Sequence, residues 1–278
     1  MSHKLKSPNP WPAKITMNTR GECNYRILKR NFTCILLVGI IFSSTSSHAQ
    51  SVPINYTGWY GYDSYHAFQE GKPWGLWIES YWIRDEVVLK QNALFVRVGL
   101  NYYFKSGNRI TGGLAYQYNY PYDEASKPYD WPDYRLFQQY LIRVPKEKGM
   151  WQFRFRLEER WLGRKNDPTS NAFDYYKYET SVISMAKKSF VLSDKFYASV
   201  YEEIWLVITT TDRLLDQSRT YAGLGMNLDK EKEWHLELGY MYQPNFSGAP
   251  ETTDKSRINN ALRITLTSDA PFKKKKKE

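Results

Sequence analysis

The feature that most constrains this chain is a period of two in its side chains, repeated along most of its length. In the stretch Trp234–Gln243 the apolar residues fall on alternate positions, with His235 and Glu237 between them. Successive side chains of a β-strand point to opposite faces, so this pattern predicts a strand with one apolar and one polar face. A helix would scatter the charges of Trp151–Leu162 to all sides, because it turns by about 100° per residue. The chain is therefore predicted to be all-β.

Ten stretches carry this alternation, and turn residues separate them. They are Trp74–Arg84, Ala93–Phe104, Arg109–Tyr120, Tyr134–Val144, Trp151–Leu162, Phe173–Lys187, Phe196–Ile208, Ser218–Leu228, Trp234–Gln243 and Arg257–Thr267. The connections are alternately long and short, which is typical of outer-membrane barrels with long loops outside and short turns in the periplasm. We expect an antiparallel up-and-down barrel of about ten strands, or of twelve, with an even count and both ends inside.

The apolar faces favour a transmembrane barrel over a soluble one. Several of them carry aromatic residues at their ends and aliphatic residues between, and such rings suit the two headgroup levels of a membrane. Aromatic residues make up 17% of the chain, yet its mean hydropathy is −0.64, as expected of amphipathic strands. Since lipid cannot pair a free backbone group, the sheet must close. A soluble periplasmic ligand-binding barrel remains an alternative.

The amino-terminal residues predict export. Basic residues precede the apolar run Cys34–Phe42, and a stretch of small residues ends at Ala49, the order of a secretory signal peptide. We expect residues 1–49 to be removed, with Met1 or Met17 as the start, so that Cys23 and Cys34 are lost. Residues 50–73 then form an amino-terminal segment. Its part 56–68 could be an eleventh strand or part of a twelve-stranded barrel, but it is expected at the periplasmic rim or in the lumen.

The net charge of +10 does not predict nucleic-acid binding. The basic excess lies in residues 1–50 and in the tail 269–278, where Lys273–Lys277 are consecutive lysines. Residues 51–272 are balanced, with 27 basic and 27 acidic residues. A bulk charge located at the two ends gives no evidence of a basic groove. The tail could contact anionic lipid headgroups or be a solubilising extension.

Six short motifs follow one another in the mature chain. They are Gly58-Trp59-Tyr60, Phe95–Tyr102, Arg156–Arg160, Tyr201-Glu202-Glu203, Arg219–Gly225 and Leu236–Met241. In this order they resemble the bacterial family called domain of unknown function 2490, over roughly residues 57–268. The resemblance implies an outer-membrane barrel and no activity. The end of the predicted signal, near Ala49-Gln50, is similar to that of exported proteins of the Bacteroidota.

The polar faces supply the candidate site, a lumen lined by arginine and glutamate. The residues expected there are Arg97, Arg154, Arg156, Glu158, Arg160, Glu179, Glu202, Arg219, Glu237 and Arg263. Buried charges must be paired or hydrogen-bonded, so these side chains are expected to pair across strands and fill a narrow lumen. Alternatively they line a narrow, gated solute path of Gram-negative porin type. The cluster Arg154, Arg156 and Arg160 is the least balanced and would be the place for a ligand.

An enzyme acting on lipid or lipid A is the second class of function. It would need a nucleophile and a base, and the mature chain offers His235 on the same face as Glu237, with Ser218 as a remote nucleophile. No Gly-x-Ser-x-Gly elbow occurs. We therefore predict no catalytic residues, no cofactor and no metal site. The expected partners are outer-membrane lipid and the barrel-assembly machinery, and nucleic acid is not among them.

Overall fold

The computed structural model describes residues 52–120, 130–164, 174–209, 214–246 and 256–274, which form one closed barrel of eleven strands. The strands are β1 (Ile54–Ala67), β2 (Trp74–Asp85), β3 (Lys90–Tyr103), β4 (Arg109–Asn119), β5 (Trp131–Lys146), β6 (Gly149–Arg164), β7 (Asp174–Val191), β8 (Phe196–Val207), β9 (Leu215–Asn227), β10 (Trp234–Asn245) and β11 (Arg257–Ser268). The all-β prediction is confirmed. No helix among these residues is long and apolar enough to cross a membrane. The expected signal peptide, 1–49, lies outside the described residues.

Strands that follow one another along the chain pair antiparallel, and the barrel closes through a parallel pair. β1 runs alongside β11 in a register that extends from Ile54 opposite Ile258 to Ser64 opposite Ser268. In an up-and-down sheet each strand reverses the direction of the one before. With an odd number of strands the first and the last must therefore point the same way where they meet.

The expected count of ten strands, or of twelve, is wrong, because residues 54–67 form an eleventh strand in the wall. They do not lie at the rim or fill the lumen. Their alternation is hidden in the sequence because both faces are aromatic. Trp59 and Tyr65 lie on the inner face of β1, and Tyr60 and Tyr62 lie on the outer face. The contrast between an apolar and a polar face, which identified the other strands, is missing here.

The two ends of the barrel differ in their connections. The long-loop end carries the connections 86–89, 120–130, 165–173, 208–214 and 246–256, and the short-turn end carries 68–73, 104–108, 147–148, 192–195 and 228–233. β1 begins at the long-loop end, whereas β11 finishes at the short-turn end. The expectation of an even strand count with both ends of the barrel wall on the same side is therefore wrong, since the start of β1 and the finish of β11 lie at opposite ends.

A glycine and a tyrosine in the first motif fix β1 to its neighbour. The turn between β2 and β3 has positive φ at Glu86 (49°) and Val87 (65°), as a tight hairpin requires. A Cβ atom at Gly58 would lie 2.1 Å from the carbonyl oxygen of Val87. The hydroxyl of Tyr60 donates a hydrogen bond of 3.1 Å to the same oxygen. Gly58 thus gives the room that this turn needs, and Tyr60 anchors it.

The start of the basic tail extends the closure of the barrel beyond β11. The backbone N–H of Phe272 donates to the carbonyl oxygen of Ala67 at 2.9 Å, and its ring lies 4.7 Å from that of His66. Lys274 forms an ion pair of 2.8 Å with Glu233, whose hydrogen bond and charge raise the pKa of Lys274. Residues 269–274 therefore pack against the short-turn end. The last lysines, 275–277, lie outside the described residues.

The lumen contains apolar groups as well as charges. One cluster consists of Tyr81, Ile83, Ala93, Phe95 and Ala115, and a second consists of Tyr201, Tyr221, Met241 and Ala261. Trp59 of β1 packs against both clusters. The side chains that were expected only on lipid-facing positions thus also occupy the interior, and β1 joins the two sides of the lumen.

The parallel closure predicts which cysteine pairs form a disulfide. Tyr62 lies opposite Leu266 on β11 and opposite Ser80 on β2. With Cys23 and Cys34 replaced by serine, Tyr62→Cys with Leu266→Cys should cross-link on oxidation, because paired strands lie about 4.8 Å apart. Ser80→Cys with Leu266→Cys is the control and should not react, since β1 separates these positions by about 10 Å. The reverse result on a non-reducing gel would mean that β2 and β11 are neighbours in a ten-stranded barrel.

Candidate functional site

The lumen brings together nine of the ten residues predicted to line it. Each lies on an inward position of its strand, buried or facing the cavity of the barrel: Arg97 (β3), Arg154, Arg156, Glu158 and Arg160 (β6), Glu179 (β7), Arg219 (β9), Glu237 (β10) and Arg263 (β11). The alternation of side chains along each strand was sufficient to place these nine on the inner face.

Glu202 is the exception, and its predicted place in the lumen is wrong. It lies on the outer face of β8, where its carboxylate accepts a hydrogen bond of 2.6 Å from Thr220. The adjacent Glu203 is the one that faces the lumen, with 3% of its surface exposed. Two consecutive acids cannot share a face of a strand. The inward positions of β8 also carry Tyr197, Tyr201 and Trp205. Because aromatic residues were expected on the outer face, the two faces of this strand were interchanged in the prediction.

Glu158 is the centre of the ion-pair network. Its side chain is fully buried, and its carboxylate accepts hydrogen bonds from three arginines on three strands. Arg97 bonds it at 2.5 Å, Arg135 at 3.1 Å and Arg156 at 3.1 Å. Arg97 also bonds Glu79 at 2.5 Å. The network therefore ties β2, β3, β5 and β6 together through side chains as well as through the sheet.

The network continues toward the long-loop end through Asp133. One carboxylate oxygen of Asp133 accepts hydrogen bonds of 2.7 Å from both Arg135 and Arg160. Arg160 also pairs with Glu179 at 3.4 Å, and Lys177 pairs with the same glutamate at 2.5 Å. Alternating charges of this kind offset the cost of burial, because each buried charge has a partner of opposite sign.

Asp133 and Arg135 were missed as site residues. Asp133 was assigned to a loop, although β5 already begins at Trp131. Arg135 stands eight positions before Arg143, which the alternation places on the inner face of the same strand. Residues separated by an even number of positions lie on the same face of a regular strand. The inward position of Arg143 therefore could have identified Arg135 as an inward residue.

A second group of charges lies on the opposite wall. Glu203 accepts hydrogen bonds from Arg154, from Arg219 at 3.1 Å and from the indole N–H of Trp205 at 2.7 Å. Glu237 accepts a hydrogen bond of 2.9 Å from Ser199 and lies 3.5 Å from the ammonium group of Lys187. These two acids hold β6 to β10 together across the lumen.

The cluster Arg154, Arg156 and Arg160, predicted to be the least balanced, is compensated in full. Arg154 pairs with Glu203, and Arg160 pairs with Asp133 and Glu179. Arg156 pairs with Glu158 and also donates two hydrogen bonds, of 3.0 and 2.9 Å, to the amide oxygen of Gln139. In the described part of the chain, the lumenal arginines without an ion pair are Arg109, Arg143 and Arg263.

The charges do not fill the lumen. A cavity of about 820 Å³ remains, and its lining extends from Asp130 and Arg257 at the long-loop end to Arg143 and Asp269 at the short-turn end. Eight strands enclose an interior that side chains just fill, so eleven strands leave additional room. The expectation of a lumen filled by ion pairs thus holds for one part of the interior, and a polar space occupies another.

The groups proposed for a lipid enzyme are not brought together. His235 faces the lumen, where its Nδ1 atom lies 2.9 Å from the side-chain oxygen of Asn227. Ser218 lies on the opposite face of the sheet, since it alternates with the inward residues Gln217 and Arg219. Among the described residues no group of three or more histidines and acids could hold a metal ion.

Comparison with known proteins gives one match. The family model described as "Protein of unknown function (DUF2490)" covers residues 57–254 of the chain. No curated protein matches. No solved structure matches either. The matched range begins within β1 and includes the six motifs, so the resemblance seen in the sequence is confirmed for the family.

Because Glu202 and Glu203 lie on opposite faces, the same substitution should have a large effect at Glu203 and a small one at Glu202. Glu203→Gln should destabilise the barrel by about 3–5 kcal/mol, because it leaves Arg154 and Arg219 without a countercharge in a buried place. Glu202→Gln is the matched control, and its effect should stay within about 1 kcal/mol. Unfolding by urea in detergent, followed by tryptophan fluorescence, measures both. Equal losses would mean that the two acids are not divided between the faces as described.

Proposed function

Because the chain belongs to the DUF2490 family, whose description assigns no activity, we propose its function from the barrel itself. The protein is a bacterial outer-membrane barrel whose charged lumen is a narrow path for small polar solutes. One observation carries this proposal. The two faces of the same closed sheet differ, with an outer face suited to lipid and an inner face that is charged and partly hollow.

The outer face supports a membrane location through the arrangement of its side chains. Aliphatic residues form most of a middle band, with Val96, Val98 and Leu238 among those 40–50% exposed, and Glu202 with Thr220 interrupts it on β8 and β9. Aromatic residues stand on both sides of this band. Toward the long-loop end they are Tyr56, Trp82, Tyr118, Tyr134, Trp161, Tyr178 and Tyr242, and toward the short-turn end Trp74, Tyr102, Tyr140, Trp151, Phe190, Phe196 and Trp234. Amphipathic rings at two levels match the two interfaces of a bilayer.

The spacing of the two aromatic levels supports the same location. Trp151 and Trp161 lie at the two ends of the outer face of β6, ten residues apart. At about 3.3 Å per residue they are about 33 Å apart along the strand. A strand tilted by about 40° then separates them by roughly 25 Å along the barrel axis, the height of the apolar band of outer-membrane barrels.

The alternatives account less well for these faces. A soluble periplasmic barrel would leave the aliphatic band and both aromatic levels in water, and large exposed apolar surfaces mark sites of association. A lipid enzyme would need a base near its nucleophile, and Ser218 and His235 lie on opposite faces of the sheet. A purely structural barrel has no use for a cavity lined from one end to the other.

The proposal also assigns partners and an orientation. Outer-membrane lipid would surround the aliphatic band, and the barrel-assembly machinery would insert a chain exported by residues 1–49. If the long loops face outside, as is usual, the start of β1 lies at the cell surface. The tail after β11 then lies in the periplasm, where its lysines would meet anionic headgroups.

A membrane location predicts the behaviour of the protein on a gel. In washed outer membranes the unboiled protein should migrate faster than the boiled one, because a closed barrel resists detergent until it is heated. The position of the band, detected with an antibody, is the measurement. Recovery in the periplasmic supernatant with no shift on boiling would contradict both the membrane location and the solute path.

A solute path predicts single-channel conductance in planar bilayers. The purified barrel should give discrete current steps, and Arg154→Gln or Arg156→Gln should change their size, because both side chains line the cavity. Lys90→Gln, at an exposed position near the long-loop end, is a control that should leave the steps nearly unchanged. A folded, inserted barrel that carries no current would make the lumen a sealed structural core.

A further inference from the structure

The short-turn end of the lumen holds two arginines that the ion-pair network leaves out. Arg109 is 2% exposed and has no ion pair among the described residues. Its Nε and one of its terminal nitrogens have no hydrogen-bond partner, and the Nε of Arg143 has none either. A buried charge without a partner is costly, so such groups are usually compensated. Among the described residues no acid forms an ion pair with either arginine, so a countercharge in direct contact is missing here.

The two side chains are neighbours on the inner face. Arg109 of β4 pairs with Leu141 of β5, and Arg143 is two positions further along β5. Diagonal neighbours of this kind have Cα atoms about 7–8 Å apart. Arg109 is also the charge that acts most strongly on Arg143. Two like charges that face the same space form a strongly positive place in the lumen.

The surroundings hold Arg109 in position without neutralising it. Its guanidinium lies 3.8 Å from the centre of the Tyr65 ring, a cation–π contact. The Tyr65 hydroxyl donates to Asp63 at 2.9 Å, and the indole N–H of Trp77 donates to the same acid at 2.7 Å. Asp63 also interacts electrostatically with Arg109, but it forms no ion pair with it among the described residues. Asp269 acts on both arginines but forms no ion pair with either, within the part of the chain that is described.

Other groups extend the positive charge toward the middle of the lumen. Arg263 bonds the hydroxyls of Tyr201, at 2.7 Å, and of Tyr81, and neither neutralises it. Of the described residues, twelve lysines and arginines line the cavity against eight aspartates and glutamates. The excess of basic residues remains when the buried acids Asp133 and Glu158 behind this lining are included.

We infer that Arg109 and Arg143 form an anion-binding site for a small oxyanion, such as a carboxylate, sulfate or phosphate group, that enters from the lumen. Both side chains line the cavity of about 820 Å³, so an anion within it can reach them. The planar guanidinium fork matches the geometry of such oxygens. The inference names the class of solute for the proposed path and in that sense rests on it.

The test measures binding of inorganic phosphate to the full, folded barrel in non-ionic detergent. Sodium phosphate should raise the thermal midpoint of the wild-type protein above that in sodium chloride of equal ionic strength. Arg109→Gln and Arg143→Gln should each weaken phosphate binding, measured by titration calorimetry, at least tenfold. Lys177→Gln is the matched control, because it removes a cavity-lining charge at the long-loop end, and its affinity should stay near that of the wild type. Acetate and sulfate titrations then distinguish a carboxylate from a tetrahedral anion.

Stability without phosphate separates a binding role from a structural one. Arg109→Gln should keep a thermal midpoint close to that of the wild type in chloride, because removal of a buried charge without an ion pair offsets the lost contact with Tyr65. An unstable Arg109→Gln protein, together with no phosphate effect in the wild type, would overturn the inference, as would equal effects of phosphate and chloride. Phosphate binding does not require conductance. A barrel that binds phosphate but carries no current would therefore contradict the proposed solute path and leave the anion site standing. Conductance without phosphate binding would contradict only the site.

Discussion

Closure of the sheet through β1 and β11 is the constraint on which the rest of this structure depends. Without that pair both strands would present unpaired backbone groups, and the interior would be open to solvent along one side. Once closed, the wall separates an interior with restricted access to water from the outer face. Charges inside then interact strongly, and each one left alone is costly. The dense pairing around Glu158 follows from this enclosure.

In the interior, the same arginines form ion pairs and pack against aromatic rings. Aromatic rings surround the guanidinium groups, as where Arg97 lies 4.7 Å from the ring of Phe95 and 5.0 Å from that of Phe137. Such contacts let an arginine be covered by apolar surface while its nitrogens remain paired with acids. The lumen can therefore be rigid near Glu158 and hollow elsewhere, since the paired arginines are fixed from two directions.

The sequence was a good guide wherever one face of a strand is purely apolar. In β6 and β10 the alternation placed Arg154, Arg156, Glu158, Arg160 and Glu237 on the inner face, where the structure has them. The alternation gave wrong predictions where aromatic residues face inward. Because Trp59 and Tyr65 lie on the inner face of β1, this strand was not recognised. Because Tyr201 and Trp205 lie on the inner face of β8, Glu202 was assigned to the lumen in place of Glu203. The identity of the unpaired arginines was beyond reach, because it depends on which acid lies across the lumen. That is a property of register and barrel closure, which no single strand encodes.

Because the strand count is odd, the first strand begins at one end of the barrel and the last strand finishes at the other. A barrel with an even number of strands begins and finishes on one side, and its first and last strands can meet without either end crossing the membrane. Here the segment ahead of β1 and the tail after β11 emerge at opposite ends. If the chain is delivered from the periplasm, as its proposed location requires, the residues ahead of β1 must pass to the far side before the final seam can form. Sealing of this barrel would then depend on prior translocation of its leading segment.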